Sequence, residues 1–173
     1  MSAPDTGPVL WFTGLPASGK TTTALAVIRE LRGAGRTVLH LDSDDLRAFF
    51  PGYDAEGRDR FYAALAHLAR LGAIGGAIVI VSATANLRRY RDAARALAPG
   101  PFIEILVTCP PEVVARRDPK GLYAAARTDP HATLPGAGAV YEPPLAPECI
   151  IHGDGELSAN VAAVLARAGV AGG

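Results

Sequence analysis

Eight consecutive residues, Gly14-Leu15-Pro16-Ala17-Ser18-Gly19-Lys20-Thr21, fit the pattern G-x-x-x-x-G-K-[ST] at every fixed position. The glycines let the backbone turn tightly and point successive N–H groups inward, which makes a nest for phosphate oxygens. A helix opening at the end of such a loop adds its positive N-terminal end. Lys20 then reaches the β- and γ-phosphates, the Thr21 hydroxyl is suited to magnesium, and Thr22 completes the first turn against the nucleotide. The chemistry expected of this segment is binding of ATP with magnesium and positioning of its terminal phosphoryl group.

A second group of residues bears on the other half of such a reaction. Leu41-Asp42-Ser43-Asp44-Asp45-Leu46-Arg47 follows an apolar run, and ligands of open parallel sheets bind outside the carboxyl ends of strands. Asp42 and Asp44 therefore fall on the same edge as the phosphate loop. A carboxylate there holds magnesium through water or accepts the proton of an attacking hydroxyl. We read Asp42 as the base and Asp44 as the residue beside the metal, with exchange of the two roles left open. Asp44 also suits the side-chain cap of a short helix. Arg47 comes one turn later, and its planar fork fits an anionic group. Arg58 and Arg88 occupy positions that can face the same cleft; for lone arginines the plain alternative is a solvated surface.

These residues need a scaffold that brings several strand ends to one edge. Five short apolar runs supply it: 9–13, 37–41, 78–81, 102–107 and, more weakly, 149–151. Runs apolar on both faces suit a buried parallel sheet. Helical stretches at about 20–33, 58–75, 87–98, 111–127 and 156–169 alternate with them. That alternation predicts a three-layer α/β/α sandwich of the P-loop NTPase type with a mainly parallel five-stranded sheet. No repeat or linker divides the chain, so residues 1–173 are expected to form a single domain. From Thr128 to Pro147 the chain carries Pro130, Pro135, Gly136, Gly138, Pro143, Pro144 and Pro147. A loop this long reads as a lid, the alternative being a passive surface connection.

Composition narrows the function classes. The chain has 173 residues, 49% apolar and 20% charged, as a globular protein has. Lys plus Arg number 17, as do Asp plus Glu, and a balanced chain lacks the cationic excess of a nucleic-acid-coating protein. The longest apolar run, Ala73 to Val81, is broken by Gly75 and Gly76 and is too short to span a bilayer. No secretory leader is evident. Cys109 and Cys149 form no CxxC pair and read as buried reduced thiols. These readings point to a soluble, cytoplasmic enzyme with no nucleic-acid or membrane partner.

Across Val9 to Ile151 the sequence resembles the adenylyl-sulfate kinase family. Trp11-Phe12-Thr13-Gly14-Leu15 leads into the loop as in that family, and Leu41-Asp42-Ser43-Asp44 resembles its Leu-Asp-Gly-Asp segment. Arg117-Asp118-Pro119-Lys120-Gly121-Leu122-Tyr123 resembles its Arg-Asp-Pro-Lys-Gly-Leu-Tyr signature, and Tyr141-Glu142-Pro143-Pro144 the end of its lid. The resemblance implies transfer of the ATP γ-phosphate to the ribose 3′-hydroxyl of adenosine 5′-phosphosulfate by a homodimeric enzyme. It also implies that Arg47, Arg58 and Arg88 contact the acceptor, and that Arg117 and Lys120 lie on the nucleotide side.

The acceptor half departs from the family pattern. Phe61 stands where an asparagine is usual, Ala132 where the lid carries a lysine, and Leu134 where an aromatic stacks on the acceptor base. Tyr53, in place of a phenylalanine, retains a stacking surface. Loss of one aromatic face removes about 1–2 kcal/mol of base stacking. Two alternatives follow: a kinase for a different, less charged hydroxyl acceptor, or a nucleotide-binding regulatory module without turnover.

Overall fold

The computed structural model describes residues 6–52, 54–117, 121, 134–135 and 138–169. Strands β1 (Val9–Thr13), β2 (Val38–Asp42), β3 (Ile78–Ser82), β4 (Phe102–Thr108) and β7 (Cys149–His152) form one sheet in the order β2-β3-β1-β4-β7. Every pairing in it is parallel. Helices α1 (Lys20–Gly33), α2 (Ser43–Arg47), α3 (Ala55–Ile74), α4 (Arg88–Leu97), α5 (Pro111–Arg117) and α6 (Leu157–Ala168) connect and cover these strands. A small pair, β5 (Leu134–Pro135) and β6 (Gly138–Ala139), lies apart from the main sheet.

The central strands are buried on both faces, and their side chains divide by the two-residue period of a strand. Val9, Trp11, Val79 and Val81 pack on one side with Phe61, Tyr62, Leu65 and Ala69 of α3 and Tyr90 and Ala94 of α4. Leu10, Phe12, Ile78, Ile80 and Ile105 pack on the other with Ala24, Val27, Ile28 and Leu31 of α1 and Val161 and Val164 of α6. Three layers result, as the alternation predicts. The Trp11 ring is fully buried and stacks on Phe102 at 6.0 Å. Its indole N–H has no hydrogen-bond partner among the described residues.

Helix boundaries differ from expectation where caps decide them. Asp54 accepts a hydrogen bond from the Gly57 N–H at 2.8 Å, so α3 starts at Ala55 and not at residue 58. The predicted helix 111–127 is helical over Pro111–Arg117, and most of its remainder lies outside the described residues. Helix α2, five residues long, is too short to show an apolar period. No helix among the described residues is long and apolar enough to cross a membrane.

Candidate active site

Because every strand of the main sheet runs the same way, the turns after β1, β2, β3, β4 and β7 emerge on one edge. The loop from Gly14 to Gly19 leaves β1 there. Gly14 has φ 152°, and a Cβ on it would lie 2.4 Å from the Val107 carbonyl oxygen. Gly19 has φ 102° and forms the N-cap of α1 without any side-chain cap. The first N–H groups of α1 are thus left for a ligand, the arrangement that binds phosphate at helix ends. Ala17 is also left-handed, with φ 60°, so the loop holds a conformation that L-residues rarely adopt.

Lys20 bends back across this loop. Its Nζ donates to the carbonyls of Gly14 at 3.0 Å and Leu15 at 2.8 Å. Burial lowers its pKa to about 8, and Asp44 and then Asp42 work against that shift. Charge-rich phosphates arriving at the loop would restore the cation.

At the end of β2, Asp42 joins the two motifs. Its Oδ2 accepts from the Thr21 hydroxyl at 2.9 Å and its Oδ1 from the Asp44 N–H at 2.8 Å. Asp42 is therefore the N-cap of α2. This corrects the capping alternative raised for Asp44, and the reason is chain direction: a cap must stand just before the helix whose free N–H it takes. Asp44, half exposed, points instead toward Arg47, whose guanidinium lies 3.5 Å from its carboxylate.

A cleft of about 690 Å3 runs along this edge, with Lys20, Thr21, Thr22, Asp42, Asp44 and Arg117 among its lining residues. Arg117 donates to the Gly153 carbonyl at 2.8 Å, which brings it beside the phosphate loop. Ser18 is buried. Its carbonyl sits so close to Gly153 that a Cβ there would stand 1.7 Å from the oxygen.

Not every expected residue lines this cleft beside the phosphate loop. Phe61 is 1% exposed and packs edge-on against Phe50 and Tyr62, so it belongs to the core and not to a cleft wall. Its position on the buried face of α3 is the physical reason. Arg58 is half-buried on the first turn of α3. Arg88 opens α4, where its backbone N–H and guanidinium both approach the Glu142 carboxylate. Leu134 lies in β5, opposite Gly138. Tyr53, Lys120 and Ala132 lie outside the described residues.

His40, Gly153 and Asn160 are among the cleft residues that the sequence reading did not single out. His40 Nε2 lies 3.1 Å from Ser82 Oγ, and burial lowers its pKa. Asn160 holds the turn after β7, donating to the His152 carbonyl at 2.7 Å. The signal for Gly153 was present in His152-Gly153-Asp154-Gly155, a glycine turn at the carboxyl end of a strand.

Compared with known proteins, residues 6–152 match the family described as adenylylsulphate kinase. The chloroplastic adenylyl-sulfate kinase of Catharanthus roseus is 39% identical over 150 residues, which is 84% of this chain and 48% of that protein. This chain thus spans about half the length of the plant relative. The adenylyl-sulfate kinase of Shewanella pealeana is 39% identical over 162 residues, covering 91% of this chain and 79% of the relative. Among solved structures, the Mycobacterium tuberculosis APS kinase CysC in complex with AMPPNP and APS matches with a TM-score of 0.88. It is 33% identical, with 95% of this chain and 98% of that one covered.

Proposed function

The chain belongs to the adenylylsulphate kinase family, and from that premise we propose that it transfers the γ-phosphate of ATP to the ribose 3′-hydroxyl of adenosine 5′-phosphosulfate. The observation that carries this reading is the contact between Thr21 and Asp42 at 2.9 Å. It joins a phosphate-binding loop to a carboxylate at the edge where an acceptor hydroxyl must come.

Magnesium fits these residues. It prefers oxygen donors, keeps several waters and needs one or two protein ligands beside the phosphates. The Thr21 hydroxyl and the Asp42 carboxylate are such a set. No cluster of three or more His, Cys, Asp or Glu among the described residues could form a protein cage for a metal. When bound, the ion would neutralise negative charge on the phosphates.

The contacts favour the exchanged roles for the two carboxylates. Both Asp42 oxygens are engaged, by Thr21 and by the start of α2, so Asp42 is the residue of the metal side. Asp44 lies two residues on, beside Arg47; we assign it to align the acceptor hydroxyl and take its proton. Lys20 stabilises charge on the transferred group, and the N–H groups of the loop hold the β-phosphate in line. Arg117, with Lys120, serves the nucleotide side. Arg47, Arg58 and Arg88 serve the anionic groups of the acceptor, and Tyr53 its base. The stretch 128–147 is the lid that excludes water and so suppresses ATP hydrolysis. An apolar strip of exposed Leu68, Leu71 and Ile74 on α3 supports self-association as a homodimer. We place the enzyme in the cytoplasm on its sequence character.

The test is ADP release by purified protein with ATP and magnesium, with and without adenosine 5′-phosphosulfate. Strong stimulation with a 3′-phosphorylated product supports the proposal. ATP binding without stimulation overturns it. A hydroxyl compound of another class that stimulates in its place would identify a different acceptor, and none at all would favour a regulatory module.

A further inference from the structure

The turn between β3 and α4, like the phosphate loop, holds a non-glycine residue at positive φ. Ala85 has φ 40° and is fully buried. A left-handed L-residue costs about 1–3 kcal/mol and persists only where its surroundings fix it. Here both of its backbone polar groups are taken by side chains. Its N–H donates to the Tyr62 hydroxyl at 3.0 Å, and its carbonyl accepts from the Arg91 guanidinium.

The next residue grips a distant segment. Buried Asn86 donates through Nδ2 to the Val140 carbonyl at 2.8 Å, and its own carbonyl accepts from the Glu142 N–H at 2.8 Å. Arg91, 1% exposed, closes the junction from beneath, donating to the Glu142 carbonyl and to Glu104, each at 2.6 Å. Tyr141 places its hydroxyl 3.2 Å from Thr13 Oγ1, at the end of β1. Residues 140–142 are therefore fastened to the sheet edge at several independent points.

One consequence is chemical. Leu87, the N-cap of α4, offers no side-chain cap. Glu142 provides one from 54 positions away: its carboxylate accepts from the Arg88 N–H at 2.8 Å and lies 3.8 Å from the Arg88 Nε. The Pro143 carbonyl accepts from the same guanidinium at 3.4 Å. Both charged side chains are more than a third exposed, and such pairs add little stability. What the contact fixes is direction.

We propose that Glu142 is a positioning residue for Arg88. The segment 140–142, fastened by Asn86 and Arg91, sets a carboxylate on the first turn of α4 and so fixes the guanidinium that meets the acceptor's anionic groups. This rests on the acceptor reading above for the role of Arg88, while the anchor itself does not.

The test is a double-mutant cycle on the full chain with ATP and adenosine 5′-phosphosulfate. Glu142→Ala is expected to raise the acceptor KM about tenfold, leaving kcat and the KM for ATP within twofold. Glu142→Gln keeps an oxygen for the Arg88 N–H and is expected to recover most of that loss. The double variant Arg88→Ala/Glu142→Ala should be no worse than Arg88→Ala alone. Additive losses, an equal change in the KM for ATP, or Gln as harmful as Ala would overturn the inference. Backbone amide exchange in the absence of any acceptor separates the two readings. Glu142→Ala should speed exchange of the Arg88 amide at least tenfold; unchanged exchange sinks the anchor even if no turnover with adenosine 5′-phosphosulfate is found.

Discussion

Replacing Gly153 by alanine isolates one steric contact under the phosphate loop. Its φ lies outside the left-handed range, so alanine is conformationally allowed there, and the cost is one of space. The added Cβ would stand 1.7 Å from the Ser18 carbonyl oxygen and 2.9 Å from its carbon. Reaching ordinary contact at 3.4 Å means parting the two backbones by about 1.7 Å. Gly153 is held by its own N–H, which donates to Thr108 at 2.7 Å, and by Arg117 on its carbonyl. The phosphate loop, joined at this point through the Ser18 N–H to Leu15 at 3.2 Å, is the softer partner. A shift of that size takes loop N–H groups out of the 2.7–3.2 Å range of a hydrogen bond to phosphate. Charge-assisted bonds of this kind contribute about 1.5–3 kcal/mol each, so one lost bond weakens ATP about 10- to 150-fold. Calorimetric titration of ATP into Gly153→Ala measures this directly. Gly155→Ala, whose Cβ would meet the His152 carbonyl at 3.2 Å, needs a much smaller adjustment and should bind within about threefold of wild type. If Gly153→Ala binds ATP normally, the reasoning from backbone approach is refuted.

Other consequences follow from the same site. Burial holds Lys20 at about 8, and bound phosphates raise that value, so ATP binding takes up a proton above pH 8. Affinity should then fall by up to about tenfold per pH unit above 8 and be independent of this group well below it; titrations in buffers of different ionisation heat count the protons, and zero uptake at pH 8.5 argues against the contact. Asp42→Asn should weaken magnesium-dependent ATP binding, whereas Asp44→Asn should lower kcat at least a hundredfold with ATP affinity retained; the opposite split returns the base role to Asp42. Arg91→Ala leaves Glu104, 7% exposed, without its main partner. It should cost about 3–5 kcal/mol in urea unfolding, and a loss under 1 kcal/mol would show that Arg95, 3.4 Å from Glu104, suffices.

The sheet was legible because its strands are buried on both faces: the apolar runs found β1, β2, β3, β4 and β7 to within about one residue at each end. The phosphate loop was legible because its chemistry requires contiguous residues. What escaped depends on facing and on distance in the chain. Phe61 is written as an exchange of residue type, but its burial between Phe50 and Tyr62 is a fact of helix orientation. Asp42 acts as a cap through a bond to the residue two further on, which depends on where α2 begins. Arg91 carries no motif at all; its value comes from Ala85, Glu104 and Glu142 converging on it from three separate segments. Pairwise contacts over such separations leave no periodic trace in one chain.

The chain's single tryptophan stands two residues before the last residue of β1, sealed among the side chains under α3 and α4. The ring is fully buried and its indole N–H has no hydrogen-bond partner among the described residues. The native protein should therefore fluoresce toward the blue, and the emission should move to the red when that layer opens. One unlabelled chromophore thus monitors the α3/α4 layer separately from the α1/α6 layer. Comparing its signal with far-ultraviolet dichroism would reveal whether the two halves of the sandwich melt together or in turn.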